Sequence, residues 1–105
     1  MSEAWVYLLR CSDGSLYTGW TVDLERRLVR HRAGTASRYT ASRLPVELAH
    51  AMPMPDRIAA RREEARIKRL SRSDKLALLS AAQAALVLGS AQTDHGQDVV
   101  QRSGE

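Results

Sequence analysis

The dipeptide Asp13-Gly14 lies between two short β-forming runs, Val6-Tyr7-Leu8 and Leu16-Tyr17-Thr18-Gly19, which commits this part of the chain to a tight antiparallel hairpin. What the hairpin can present depends on its loop. A two-residue loop of Asp13 and Gly14 pairs Tyr17 with Arg10 and sends Tyr7 and Tyr17 to opposite faces of the sheet. A three-residue loop of Ser12, Asp13 and Gly14, with the glycine left-handed, sets Tyr17 opposite Leu9 and diagonal to Tyr7. Both phenols then share one face, roughly 7 to 8 Å apart, close enough to serve one ligand. The second register is the expected one. Taken alone, the same residues also read as ordinary strand formers packing a core.

The remaining punctuation predicts a small α+β domain. Thr21 or Asp23 caps a helix through Leu24 to His31, which Gly34 ends. Residues 34–43 read as a polar surface loop. Val46 to Met52 alternates as a third strand, stopped by Pro53 and Pro55. Asp56 caps a helix over 57–70, and Ser71 or Ser73 starts a last amphipathic helix to about Leu88, with Leu76, Leu79, Ala82 and Leu86 on one stripe. The order β-β-α-β-α-α gives a three-stranded antiparallel sheet flanked by helices. Residues 1–88 are expected to form one domain and 89–105, polar and aperiodic, a disordered tail.

Composition narrows the partners. The chain of 105 residues has 44% hydrophobic residues, enough for one modest core. The apolar stretch from Ala81 to Leu88 is far shorter than the ~20 residues a membrane span needs. Met1-Ser2-Glu3 lacks a leader pattern, and the single Cys11 cannot form an internal disulfide or a thiolate zinc site, so a cytoplasmic protein is expected. The net charge is +4, and the stretch after residue 82 holds one arginine against three acids, so the folding part is the more basic. Such a surface attracts phosphate backbones, although the same charges also serve simply to solvate helix faces.

Five side chains could carry chemistry together. Arg27 and His31 stand four apart beside the Leu24 and Leu28 stripe and should face the sheet. Glu64 continues a stripe with Ala60 and Ile67, and Lys68, four residues on, is its natural ion-pair partner. With Tyr7 and Tyr17, these groups suit phosphodiester cleavage. One carboxylate suits Mg²⁺, which keeps most of its waters and also takes phosphate oxygens. Arginine suits the charge that builds on the phosphoryl group. A tyrosine could accept the proton of the attacking water if neighbouring cations lower its pKa. Arg38, Tyr39 and Arg43 in the polar loop, together with Lys68, could contact nucleic acid.

These residues resemble the GIY-YIG nuclease superfamily. Val6-Tyr7-Leu8 matches the first motif, Tyr17-Thr18-Gly19 the second, Asp23 to Leu28 with His31 the arginine helix, and Glu64-Ala65-Arg66-Ile67-Lys68 the helix of the metal-binding glutamate. The resemblance covers residues 4–80 and is closest to the small stand-alone bacterial members. It implies metal-dependent, endonuclease-type hydrolysis of DNA, structure-selective in repair or recombination. It assigns Glu64 to Mg²⁺ or Mn²⁺, Arg27 to the phosphate, and the base role to Tyr7, with Tyr17 positioning the water or taking that role itself. Val6 and Thr18 stand where the name motifs have isoleucine, and this chain lacks the asparagine many members use late in the domain.

Two other functions fit the same residues. A non-catalytic nucleic-acid-binding module would stack bases on the tyrosines. An adaptor would dock a protein partner through Leu79 and Leu86 of the last helix.

Overall fold

The computed structural model describes residues 3–92, with side-chain surroundings given to residue 82. The elements are β1 (Ala4–Arg10), β2 (Leu16–Thr21), α1 (Leu24–Arg32), α2 (Arg38–Ala41), β3 (Glu47–Met54), α3 (Arg57–Lys68) and α4 (Arg72–Gln92). The three strands form one antiparallel sheet in the order β2-β1-β3. This is the expected α+β architecture, with one helical turn added.

The hairpin adopts the three-residue loop. Tyr17 pairs with Leu9 and Gly19 with Tyr7. Gly14 takes φ +84°, and its N–H donates to the Cys11 carbonyl at 2.9 Å. Asp13 Oδ1 accepts from Ser15 N and Ser15 Oγ, so the loop is tied from within.

β1 is central and covered on both faces, and therefore reads as a nearly continuous apolar run. Its Ala4, Val6 and Leu8 face Ala60 and Ile67 of α3, with Leu78 and Leu79 of α4 packed beside them. Tyr7 and Leu9, alternating with these, face Leu28 of α1 and Val46. A bulge at Ala49 shifts the β1–β3 pairing so that Leu48 meets Leu9 and joins the second cluster.

Three expectations need correction. β3 does not stop at Pro53 but runs to Met54, because an edge strand tolerates proline where the missing N–H would face outward. Residues 34–43 are not all loop: Ser37 caps the single turn of α2, which is too short to leave a helical period in the sequence. α4 continues past Gly89 to Gln92, and its inward stripe falls on Lys75, Leu78, Leu79 and Ala82, leaving Leu76 37% exposed. Residues 89–92 are thus helix rather than tail, and the rest of the expected tail lies outside the described residues. Leu86 also lies outside those whose side chains are described. Among the described residues no helix is long and apolar enough to cross a membrane.

Candidate active site

The register puts Tyr7 and Tyr17 on one face with ring centroids 6.5 Å apart. The ring of Tyr7 lies over its cross-strand partner Gly19, where a Cβ would sit 2.6 Å from the phenol oxygen. Only glycine leaves room for the hydroxyl there. Because β2 is the edge strand, this gap carries the phenol outward from the centre of the sheet.

α1 supplies the next groups. Asp23 caps it, its carboxylate accepting from Arg26 N at 3.1 Å, and Gly34 at φ +79° lies just beyond its end. Held this way, α1 buries His31 completely between the tyrosines, with ring centroids 5.5 Å from Tyr7 and 5.2 Å from Tyr17. His31 Nε2 lies 2.8 Å from the Tyr7 oxygen, and Nδ1 lies 2.9 Å from Thr40 Oγ1. Thr40, also fully buried, is placed by Ser37, whose Oγ accepts from Thr40 N at 3.1 Å and lies 2.9 Å from Thr40 Oγ1.

Thr40 and Ser37 were not legible as part of this site. Their one signal is the serine three residues ahead of the threonine, an N-cap spacing inside a polar stretch.

Electrostatics follow from burial. The Tyr7 phenol is pushed up to about 12, by burial first, then by Tyr17 and the Glu64 charge, against the pull of the Arg27 guanidinium beside it. His31 is held down to about 4 by burial and by the positive charges of Arg27 and Arg30. At neutral pH the pair is therefore a phenol and an uncharged imidazole.

Glu64 arrives from the opposite layer. α3, capped by Asp56 through Ala59 N at 2.8 Å, packs over β2 and β1 with Ala60 and Ile67 inward. Its glutamate side chain, 19% exposed, lies 3.3 Å from Lys68 Nζ. The acid shares a groove with Trp20, Ile58, Arg61, Arg62 and Ala65. The neighbouring Glu63 is different: both its oxygens are held by the Arg66 fork, at 3.0 and 2.7 Å.

Of the other expected nucleic-acid contacts, Arg38 is exposed, and Tyr39 stacks on Tyr17 at 5.8 Å. Arg43 is engaged at several points. Its guanidinium lies 3.8 Å over the Tyr39 ring, and its Nε donates to Asp13 Oδ2 at 3.0 Å, tying α2 to the hairpin loop.

The Tyr7 hydroxyl thus meets His31 of α1 and feels the charges of Tyr17 on β2, Arg27 on α1 and Glu64 on α3. Residues 3–77 match the model of the GIY-YIG catalytic domain. A UPF0213 protein of Syntrophus aciditrophicus is 46% identical over 75% of this chain and 92% of its own length. The solution structure of a UPF0213 protein from Bacillus halodurans aligns with TM-score 0.51 and 41% identity, over 74% of this chain and 83% of that one. The solution structure of the protein EF2693 from E. faecalis aligns with TM-score 0.52 and 32% identity, over 98% of this chain and 100% of that one. With the motif strands, the arginine helix and the glutamate helix in this order on this sheet, the chain belongs to the GIY-YIG superfamily of nucleases.

Proposed function

We propose that this protein is a cytoplasmic, divalent-metal-dependent endonuclease that hydrolyses DNA phosphodiester bonds. The observation that carries the reading is the Tyr7 hydroxyl, which meets His31 Nε2 at 2.8 Å, lies beside Arg27 and feels the Glu64 charge. Arg27 steadies the phosphate, Tyr17 orients the attacking water, and Tyr7 takes its proton. As the water oxygen bonds to phosphorus, the bond to the departing sugar oxygen breaks, and that oxygen takes a proton from solvent.

Two conditions follow from the geometry. With its pKa near 12, ionising Tyr7 at pH 7 costs roughly 7 kcal/mol in the free protein, so the phenolate forms only with substrate bound, its proton passing to solvent before it takes one from the attacking water. Tyr7 is also fully covered. Arg27, half-buried and beside the phenol, would have to shift for a phosphate to reach it.

The donor set decides what metal fits. No group of three or more His, Cys, Asp or Glu side chains occurs among the described residues, which argues against a preformed protein cage. Glu64 offers one partly exposed carboxylate, suited to Mg²⁺ or Mn²⁺ that keeps its waters and takes phosphate oxygens as further ligands. Lys68 must then release it. When bound, the ion would neutralise charge on the phosphate oxygens.

The non-catalytic alternative loses Tyr7, which has no exposed surface for a base, and keeps only the half-buried Tyr17 as a stacking platform. The adaptor reading loses Leu79, which packs against the core of its own domain. The test is cleavage of duplex, single-stranded, flap and branched DNA with Mg²⁺, Mn²⁺ or chelator. Product that needs metal and is lost in Glu64→Ala is expected; absence of any metal-dependent product rejects the nuclease.

A further inference from the structure

The geometry points to Thr40 as a positioning residue that fixes the tautomer of His31: its hydroxyl donates to Nδ1, leaving the imidazole proton on Nε2, aimed at the Tyr7 oxygen. This rests on the proposed role of Tyr7 as base.

His31, uncharged at neutral pH, carries a single N–H shared between two sites. Each ring nitrogen has one partner at hydrogen-bond distance, Tyr7 at 2.8 Å and Thr40 at 2.9 Å. If the proton sits on Nδ1, the Nε2 lone pair takes the phenol hydrogen, and Tyr7 is locked in its protonated form. A phenolate would then face a lone pair. If the proton sits on Nε2, the phenol oxygen receives a donor, and the anion formed when Tyr7 works as a base is hydrogen-bonded.

The second arrangement requires a donor at Nδ1, and among the described residues only Thr40 Oγ1 is there. Thr40 can supply it because Ser37 can replenish it. Ser37 Oγ accepts from Thr40 N as the cap of α2, yet keeps its own hydrogen for Thr40 Oγ1 at 2.9 Å. The competing acceptor for the Thr40 hydrogen, the Ser37 carbonyl, is more distant at 3.4 Å. Ser37, Thr40 and His31 thus form a directed chain in which each donates once and the Tyr7 oxygen accepts at its end. α2, capped by Ser37, holds the start of that chain.

The test reads the tautomer directly. Full-length protein with ¹⁵N-labelled histidine is studied by NMR at neutral pH, the His31 signals being assigned by their loss in His31→Gln. Nε2–H with a lone pair on Nδ1 is expected. Thr40→Val, which keeps the shape and removes the hydroxyl, should disturb that pattern and lower kcat about 10- to 100-fold with KM little changed. Thr40→Ser should restore both. A wild-type His31 carrying its proton on Nδ1 overturns the proposal and leaves Tyr17 as the base. So does a folded Thr40→Val protein with an unchanged tautomer. The wild-type spectrum is decisive even if Thr40→Val does not fold. A protein that cleaves nothing rejects the nuclease, whereas the spectrum judges the hydrogen-bond chain by itself.

Discussion

Gly19 and Tyr7 show how one missing side chain makes room for a functional group. A methyl at residue 19 would sit 2.6 Å from the phenol oxygen and 2.7 Å from Cζ, and the ring has little freedom to retreat between His31 and Tyr17. Gly19→Ala should therefore cost about 1 to 3 kcal/mol in urea unfolding, the usual range for overpacking, and abolish metal-dependent cleavage. His31 adds a pH dependence. Its pKa is about 4 in the folded protein against 6.5 for an exposed histidine, so the unfolded chain binds more protons between those values. Stability is then full above pH 6.5 and falls toward pH 4, by roughly 3 kcal/mol from this group. Unfolding compared at pH 7 and 4.5 should show a smaller loss in His31→Gln than in wild type. An equal loss would assign the effect to carboxylates instead. Tyr7 works at the other end: its raised pKa stabilises the fold below pH 10, and that contribution is lost as the pH approaches 12.

Among the elements, α2 is the one held by its neighbours rather than by its own sequence. It is a single turn, anchored by the Ser37 cap and by Arg43, which joins Tyr39 to Asp13 of the hairpin loop. The Arg43 and Asp13 side chains are 33% and 48% exposed, so solvent screens the pair and Arg43→Ala should cost no more than ~1 kcal/mol globally. Locally it should do more. Amide exchange over 37–43 should quicken, and if Thr40 positions His31, turnover should drop with it; unchanged exchange would mean that the cap alone holds the turn. The same element marks the limit of what the sequence could disclose. The hairpin register, the caps at Asp23 and Asp56, and the Glu64–Lys68 pair were readable because each depends on near neighbours in the chain. α2 and the contact from Thr40 to His31 depend on packing between distant segments. Pro53 escapes a reading from sequence for the same reason, since nothing near it in the chain says that its strand lies at an edge.

For the molecule as a whole, the distribution of charge determines how a polyanion can approach Glu64. The groove beside the acid, about 450 Å³, has Trp20 and the exposed Ile58 for contact with sugars or bases, and Arg61 and Arg62 for phosphates. Lys68 and Arg66 are already paired with Glu64 and Glu63, while Arg61 and Arg62, both exposed, have no acidic partner among the described residues. A backbone lying in this groove would release counterions from each phosphate it places on those guanidiniums, so each should add close to one unit to the salt dependence of binding. Arg61→Ala and Arg62→Ala should each weaken DNA binding at every sequence tested and flatten the plot of log affinity against log salt by about 0.9, with kcat retained at saturating DNA. Binding titrations across a series of salt concentrations measure this, with Arg38→Ala compared to locate the path on the α2 side. If only Arg38→Ala flattens the plot, the backbone reaches the tyrosines over α2 instead, and the groove along α3 faces solvent.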